Sequence, residues 1–570
     1  MTRNLVIVHC HFEPGGVTQV VQNHVRALAG GSAEQPVSVF LAGSSRQSGL
    51  TDATRQLASV WTIDALDYDP IGSAETEIDS PGGSSADDFR PEHLSRRGQK
   101  LADTLIERML TAKMDPSDTV VHWHNHSLGK NAAAPVAIAR LADAGWPVLM
   151  QIHDFAEDQR PANYRHLLRQ SRTTQPTEID QWLYPEGSHL NFATLTCGDA
   201  DALIRHGIPA DAVAVLPNNV RLPDSEIVSR EAAMQRLRRV WQLPDEFRWL
   251  LYPIRGIRRK NLGEFLLLCQ CLQGDELEWL SSPIGPPFIG GITLRPDTPN
   301  ERRSYERWRN VGQAFVPNVL FDVAHHPDVR FVDNLAAAHC IVSTSVAEGF
   351  GMTFLEPWLA GRPVVARRLP GVVADFEAQG VQLDHFYRTI DVPGEKDWLD
   401  EAQRRWSEAC RNAWSSVPEP MRPSVSLDND DQQRGPDKTI DFARLTADLQ
   451  IDVIRWCHDD PGYRHALVQA NESVFRSIVT PPSADVVQRN AEVIADAYSL
   501  SSQQKQLIQA YDQTRRRADA AVSGSTDPEQ MTVATDSRPA MVDLIDAAHP
   551  FYPCRVEEPP APASFKQGHS

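Results

Sequence analysis

The stretch Ser343–Gly361 reads STSVAEGFGMTFLEPWLAG and places two carboxylates, Glu348 and Glu356, on either side of a glycine-marked loop. A carboxylate accepts hydrogen bonds from adjacent hydroxyls, which a sugar or a ribose presents in pairs. Two carboxylates spanning one strand-to-helix loop can therefore hold two sugars of a single donor. Gly349 and Gly351, with Phe350 between them, let backbone amides approach a diphosphate, and the start of the following helix adds positive potential. A basic set lies upstream, in LYPIRGIRRKNLGE (Leu251–Glu264), where Arg255 and Lys260 bracket Arg258 and Arg259. Fixed cations aimed at a departing diphosphate stabilise charge where it develops. A guanidinium does so bidentately, an ammonium as a point charge.

Three further segments sit at predicted strand ends. His11–Val17 (HFEPGGV) carries Gly15 and Gly16 in a tight turn that opens a helix and permits close approach of a phosphate or an acceptor. Gln151–Phe155 (QIHDF) places His153 and Asp154 at a predicted cleft edge. The run His122–His126 alternates its histidines onto one face. With Lys130 and Asn131, its members His124, Asn125 and His126 are expected to line the acceptor side. These imidazoles, with His9 and His11 on another strand, are also the ligand type of a zinc or iron site. Hydrogen bonding is the commoner use of a strand-end imidazole, and no metal is expected.

The elements that must position these groups follow from hydrophobic periodicity. Asn4–Cys10 reads as a buried strand and Val17–Leu28 as an amphipathic helix. Strands are predicted at Val37–Leu41, Val60–Ile63, Thr119–His124, Pro147–Ile152, Ala193–Thr196 and Val213–Leu216. The pattern restarts after Asn219, with strands at Trp249–Ile254, Val329–Val332, Cys340–Ser343 and Pro363–Ala366 and a helix at Leu262–Leu272. Strand–helix alternation of this kind predicts two doubly wound α/β domains, with ligands in the crevice at the carboxyl ends of the strands. The expected division is 1–222, 223–488, a helix within 489–517 and a largely disordered tail over 518–570. Flexible insertions are expected at 71–93 and 417–438.

The glutamate segment resembles the Glu-seven-Glu motif of family 4 retaining glycosyltransferases, enzymes of the GT-B fold. The resemblance implies that Glu348 contacts the transferred sugar and Glu356 the nucleotide ribose. It implies that Arg255 and Lys260 grip the donor diphosphate and that His153 approaches the sugar near the scissile bond. The glycine pair Gly15–Gly16 matches as well, and LPNNV (Leu216–Val220) resembles an interdomain segment that usually reads Pro-Asn-Gly. The implied reaction moves a sugar from a nucleotide diphosphate, most simply a UDP- or GDP-sugar, to an acceptor hydroxyl. It proceeds by front-face attack with neither cofactor nor metal, and the long C-terminal helix crosses back to the first domain. One departure lies between Leu272 and Val329, where Pro283–Thr293 replaces the usual glycine-marked strand near the nucleobase.

The whole chain is consistent with that reading. Its 570 residues carry a net charge of -19, which argues against nucleic acid as a long-range partner. No apolar run is long enough to span a membrane, and Met1–Ala29 does not read as a signal peptide. The eight scattered cysteines fit reduced, mostly buried thiols in a cytoplasmic protein. A sugar phosphorylase or epimerase on the same fold, or a non-catalytic binding scaffold, are the competing readings. The acceptor is not named by the sequence; a soluble one is favoured over a membrane lipid.

Overall fold

The computed structural model describes residues 2–29, 37–70, 91–222, 228–273, 285–424, 439–522 and 538–556. Seven parallel strands form the first sheet: β1 (Asn4–Val8), β2 (Ser38–Gly43), β3 (Ser59–Thr62), β4 (Thr119–His124), β5 (Val148–Gln151), β6 (Leu190–Thr194) and β7 (Val213–Val215). Their spatial order is β3-β2-β1-β4-β5-β6-β7. The chain winds outward in both directions from β1 and β4, which pair with Val8 opposite Trp123. Strand alternation sends Val6 and Val8 into one core and Leu5 and Ile7 into another, on the opposite face. Because both faces are covered, the strands read as near-continuous apolar runs.

A second parallel sheet comprises β8 (Arg248–Arg255), β9 (Phe288–Leu294), β10 (Val319–Phe321), β11 (Ala338–Ser343) and β12 (Val364–Ala366), in the order β10-β9-β8-β11-β12. Leu250 and Tyr252 face one core, Trp249 and Leu251 the other. The two halves meet where Cys197 N donates to Asp375 Oδ2 at 2.8 Å and Val220 N donates to Tyr498 O at 2.9 Å. Two doubly wound sheets joined in this way make the GT-B architecture that the sequence predicts.

Several expectations change. Val329–Val332 is not a strand: Val329 and Arg330 lead into the helix Phe331–Ala337, and the edge strand is β10 instead. The glycine-bearing strand thought to be replaced is present as β9, FIGGITL. A Cβ on Gly291 would fall 2.3 Å from Trp249 Cζ2, so the glycine that weakens β propensity is what admits a fully buried tryptophan. Burying such a ring contributes on the order of 3 kcal/mol.

Parts of the tail and of the second insertion are packed, while 523–537 and 557–570 of the tail lie outside the described residues. The predicted long helix divides into Ala484–Ala497 and Leu500–Val522. The second places Leu507, Ala510 and Tyr511 in the core of the first sheet. Residues 538–556 are packed as well. The helix Met541–Ala548 buries Met541, Val542, Leu544 and Ile545, an apolar stripe that a composition-based reading of a polar tail overlooks. Of the insertion at 417–438, Val417 and Met421 are buried in the first half's core with Trp414. A segment assigned to the second domain thus returns to the first. Residues 71–90 and 425–438 lie outside the described residues.

Candidate active site

The strand ends of the second sheet supply a tightly braced cationic loop. After β8 the chain turns through a single helical turn at Arg258–Lys260, and Asn261, with φ of 48°, starts the next helix. Tyr252 OH donates to Lys260 O at 2.7 Å, Thr344 Oγ1 donates to the same carbonyl at 3.0 Å, and Val346 N donates to Arg259 O at 3.0 Å. The loop after β8 is therefore fastened to the loop after β11. Lys260 Nζ forms an ion pair with Glu348 Oε1, and Arg259 Nη1 lies 3.9 Å from Glu348 Oε2. The Lys260 and Glu348 side chains are both buried. Burial alone would raise the Glu348 pKa, but Lys260 and Arg259 outweigh it and hold the carboxyl below its ordinary value. Burial draws the Lys260 ammonium down in turn, against the pull of Glu348.

Glu356 begins the short helix Glu356–Leu359. Burial pushes its carboxyl up to about 7, with no counter-ion among the described residues to offset it. A carboxylate held without a cation is poised to accept from hydroxyls that enter the cleft. Gly351, at φ of 88°, makes the turn into this segment.

Opposite stands the end of β5. A Cβ on Gly349 would lie 3.2 Å from His153 O and 3.7 Å from Leu195 Cδ1, so the loop carrying Glu348 abuts the loop carrying His153. Asn125, at φ of 60°, accepts through Oδ1 from His153 N at 3.3 Å and Asp154 N at 3.0 Å. His153 Nε2 is 2.9 Å from His124 Nδ1. Burial lowers the His153 pKa to about 4, so its ring is neutral near pH 7 and can donate a hydrogen bond without carrying charge.

On the first sheet, a small pocket at the ends of β1 and β4 is lined by Cys10, Tyr68, Asn125, Lys130 and Asn131. Lys130 Nζ sits 4.7 Å from the Tyr68 ring centroid. Burial lowers its pKa, helped by Arg160 and Arg46 and opposed by Cys10 and Asp154, and Arg46 is itself paired with Glu13 and Asp67. Asp154 is paired with Arg160. Gly15 and Gly16 open the helix Gly16–Ala29, and a Cβ on Gly16 would meet nothing within 4 Å. The space at Gly16 is open, and a Cβ on Gly15 would meet only the Glu13 carbonyl oxygen at 3.9 Å.

Sequence-predicted residues thus gather unevenly. Lys260, Glu348, Gly349, His153, Asn125 and Asp154 come together. Arg255 does not: it pairs with Asp297 at an exposed edge, and Arg259 takes the place beside Glu348. The Phe350 ring turns into the core against Phe376 and Tyr498, so only its backbone can serve a ligand. His124 and His126 border the pocket, but both rings are buried and His126 Nε2 is tied to Leu183 O at 2.9 Å. Asn131 spans the carbonyls of Ala65 and Asp67. Sequence reasoning passed over Arg46, Arg160 and Tyr68, which carry no local motif. Only adjacency to Lys260 could have singled out Arg259.

No family model matches the chain. It is 23% identical over 547 residues to the mannosylglucosyl-3-phosphoglycerate synthase of Petrotoga mobilis, across 94% of this chain and 96% of that one. Among solved structures it is similar to Anabaena HepE in complex with UDP and glucose, at 13% identity and a TM-score of 0.46 over 90% of this chain and 99% of that chain. It is also similar to the sucrose-phosphate synthase of Thermosynechococcus elongatus, at 13% identity and a TM-score of 0.44 over 83% and 99%.

Proposed function

We propose that this chain is a retaining, family 4-like glycosyltransferase that moves a hexose from a nucleotide diphosphate sugar to the hydroxyl of an anionic glycoside. The observation that carries the reading is the buried Lys260–Glu348 pair flanked by Arg259, set at the strand ends of the second sheet and abutting His153 through Gly349. The full-length likeness to the Petrotoga synthase supports transfer, and its name denotes a product in which two sugars sit on a phosphorylated glycerate.

In this scheme the donor diphosphate draws Lys260 and Arg259 to its oxygens. Glu348, released from Lys260, accepts from hydroxyls of the transferred sugar, and Glu356 accepts from the ribose. As the sugar–phosphate bond lengthens, the two cations stabilise the growing phosphate charge. Retention follows from front-face attack, with a donor phosphate oxygen taking the acceptor proton. The neutral His153 ring donates toward the sugar from the first-sheet side. Arg46, Lys130 and Arg160 receive the acceptor's phosphate or carboxylate. The division of labour assigns residues 1–222 to the acceptor and 223–488, apart from the stretch 414–421 that packs on the first half, to the donor, and a UDP- or GDP-sugar is the donor class.

The test is calorimetric titration of UDP- and GDP-sugars into wild type and Glu356→Ala, followed by NMR of the product formed with glucosyl-3-phosphoglycerate. One nucleotide class should bind the wild type, lose at least tenfold in affinity in the variant, and yield an α-linked product from an α-linked donor. Failure of every nucleotide sugar to bind, with a sugar phosphate binding instead, would overturn the reading in favour of a phosphorylase.

A further inference from the structure

We propose that His24, His122 and His124 form a three-imidazole site for one divalent cation of the zinc class, buried between the helix Gly16–Ala29 and strand β4. This inference is independent of glycosyl transfer and runs against the metal-free expectation from sequence. His122 and His124 are two apart on β4 and so share a face, and the helix packed on that face contributes His24. The ring centroids lie 5.5 Å apart for His24–His122, 5.5 Å for His24–His124 and 4.2 Å for His122–His124. One ligand nitrogen from each lies within 4.8 Å of the other two. A tetrahedral zinc ion holds its nitrogens about 3.3 Å apart, so the nitrogens must close by up to about 1.5 Å, and the near-parallel rings, 17° apart for His24–His122 and 30° for His122–His124, must turn to aim their lone pairs at one point.

The hydrogen bonding singles out the same three residues. All three are at most 1% exposed. His24 Nδ1, His122 Nε2 and His124 Nε2 have no hydrogen-bond partner among the described residues. A buried imidazole nitrogen left unpaired costs about 1–3 kcal/mol, and three such atoms in one cluster multiply that cost unless they share an acceptor of their lone pairs. The opposite nitrogens of two rings are already held. His122 Nδ1 is 2.9 Å from Tyr511 OH, and His124 Nδ1 is 2.9 Å from His153 Nε2. Metal-bound imidazoles are oriented in just this manner, one nitrogen on the ion and the other N–H on a fixed partner. Gln151 lies beside His122, where its side chain favours the charged form of that ring, and its oxygen is available for the remaining position.

The consequence reaches the candidate active site. An ion on His124 Nε2 requires the proton on His124 Nδ1, which then donates to His153 Nε2 and leaves His153 Nδ1 as its proton-bearing atom. The ion would act as a clamp that joins the helix Gly16–Ala29 to β4 and sets the orientation of His153, a positioning role with no part in the bond exchange.

Full-length protein prepared without a histidine tag and stripped with a chelator tests the site when titrated with Zn²⁺ and Co²⁺. The expected result is one ion per chain, visible ligand-field bands from Co²⁺ characteristic of nitrogen ligation, and a higher Tm with Zn²⁺. Tyr511→Phe keeps all three ligands and should weaken binding about 10–100-fold, and His24→Ala should abolish it. If His24→Ala fails to fold, the wild-type stoichiometry and Tyr511→Phe still decide. Fewer than one ion per chain would overturn the proposal and leave a water-filled polar cavity. So would unchanged affinity in Tyr511→Phe and His24→Ala, which would place any ion elsewhere, for instance at His9, Cys10 and His11.

Discussion

The α-carbon of Gly349 stands so close to His153 that a Cβ built on it would lie 3.2 Å from the His153 carbonyl oxygen. A donor-side loop and an acceptor-side strand end are thus separated by little more than hydrogen atoms. Gly349→Ala is expected to fold, with a stability loss of about 1–2 kcal/mol from overpacking. Because small displacements of reacting groups are costly, kcat/KM should fall about 10–100-fold. Urea unfolding and steady-state kinetics on the same preparation check both halves. Unchanged kinetics would show that the halves move apart during turnover and that this contact is not part of the working geometry.

The Lys260–Glu348 pair is buried, so removing one partner strands a charge. Lys260→Met and Glu348→Gln should each cost about 3 kcal/mol, and the double variant much less than their sum. The pH dependence has a definite sign. Glu348 has a folded pKa below its unfolded value, so its contribution is present above about pH 4.5 and is lost as pH falls through the folded pKa. In Lys260→Met burial is no longer opposed by the ammonium, the carboxyl pKa rises, and the deficit should shrink as pH is lowered toward 4. Denaturant melts of the four proteins at pH 4.5 and 7 read this directly.

Much of this arrangement was legible in sequence. The first sheet, strands β8, β11 and β12 of the second, the β8 and β11 loops and the Glu348–Gly351 turn follow from apolar runs that end in glycine or charge, because a strand buried on both faces leaves that imprint. What escaped was non-local. Strand β9 was masked by Gly290 and Gly291, whose purpose is visible only once Trp249 lies over the second of them. Arg255 and Arg259 are equivalent by spacing, and only the fold sends one to Asp297 and the other to Glu348. The tail reads as polar, yet its eight-residue stripe at Met541–Ala548 has a receiving surface on the helix Cys197–His206. No window of sequence contains both.

Glu356 should make donor binding pH-dependent. Its carboxyl is pushed up to about 7 by burial, and only the ionised form accepts from both ribose hydroxyls. Donor affinity is therefore expected to weaken as pH falls from 8 to 6, and Glu356→Gln should bind more weakly but without that slope. Stability runs the other way. A carboxyl with a raised folded pKa destabilises the unliganded protein progressively from about pH 4.5 to 7. Glu356→Gln should therefore be about 1–2 kcal/mol more stable at pH 8, allowing for its partial exposure, and no more stable at pH 4. Calorimetry and thermal melts across this range check the two opposed slopes.

The C-terminal segment ties the halves together through a charge cluster. His549 Nδ1 is 3.1 Å from Asp158 Oδ1, its Nε2 is 3.3 Å from Asp199 Oδ1, and Arg555 Nη2 is 2.7 Å from Asp158 Oδ1. The turn Pro553–Arg555 rests on Arg258–Lys260 in the other half, and Phe551 meets Trp406 with ring centroids 6.0 Å apart. Burial opposes the charged form of His549, but Asp158 and Asp199 overcome it and raise its pKa to about 10. The imidazolium therefore stabilises the fold fully below about pH 6.5, and that contribution is lost as pH rises through about 10. His549→Leu should cost about 1–3 kcal/mol at pH 6, with the deficit shrinking as pH rises above about 6.5 and gone by about pH 10. Because the strap touches the cationic loop, the same variant should also weaken nucleotide-sugar binding. A deficit in unfolding free energy that stays constant from pH 6 to 10 would mean that the ring is already neutral and holds the tail by packing alone.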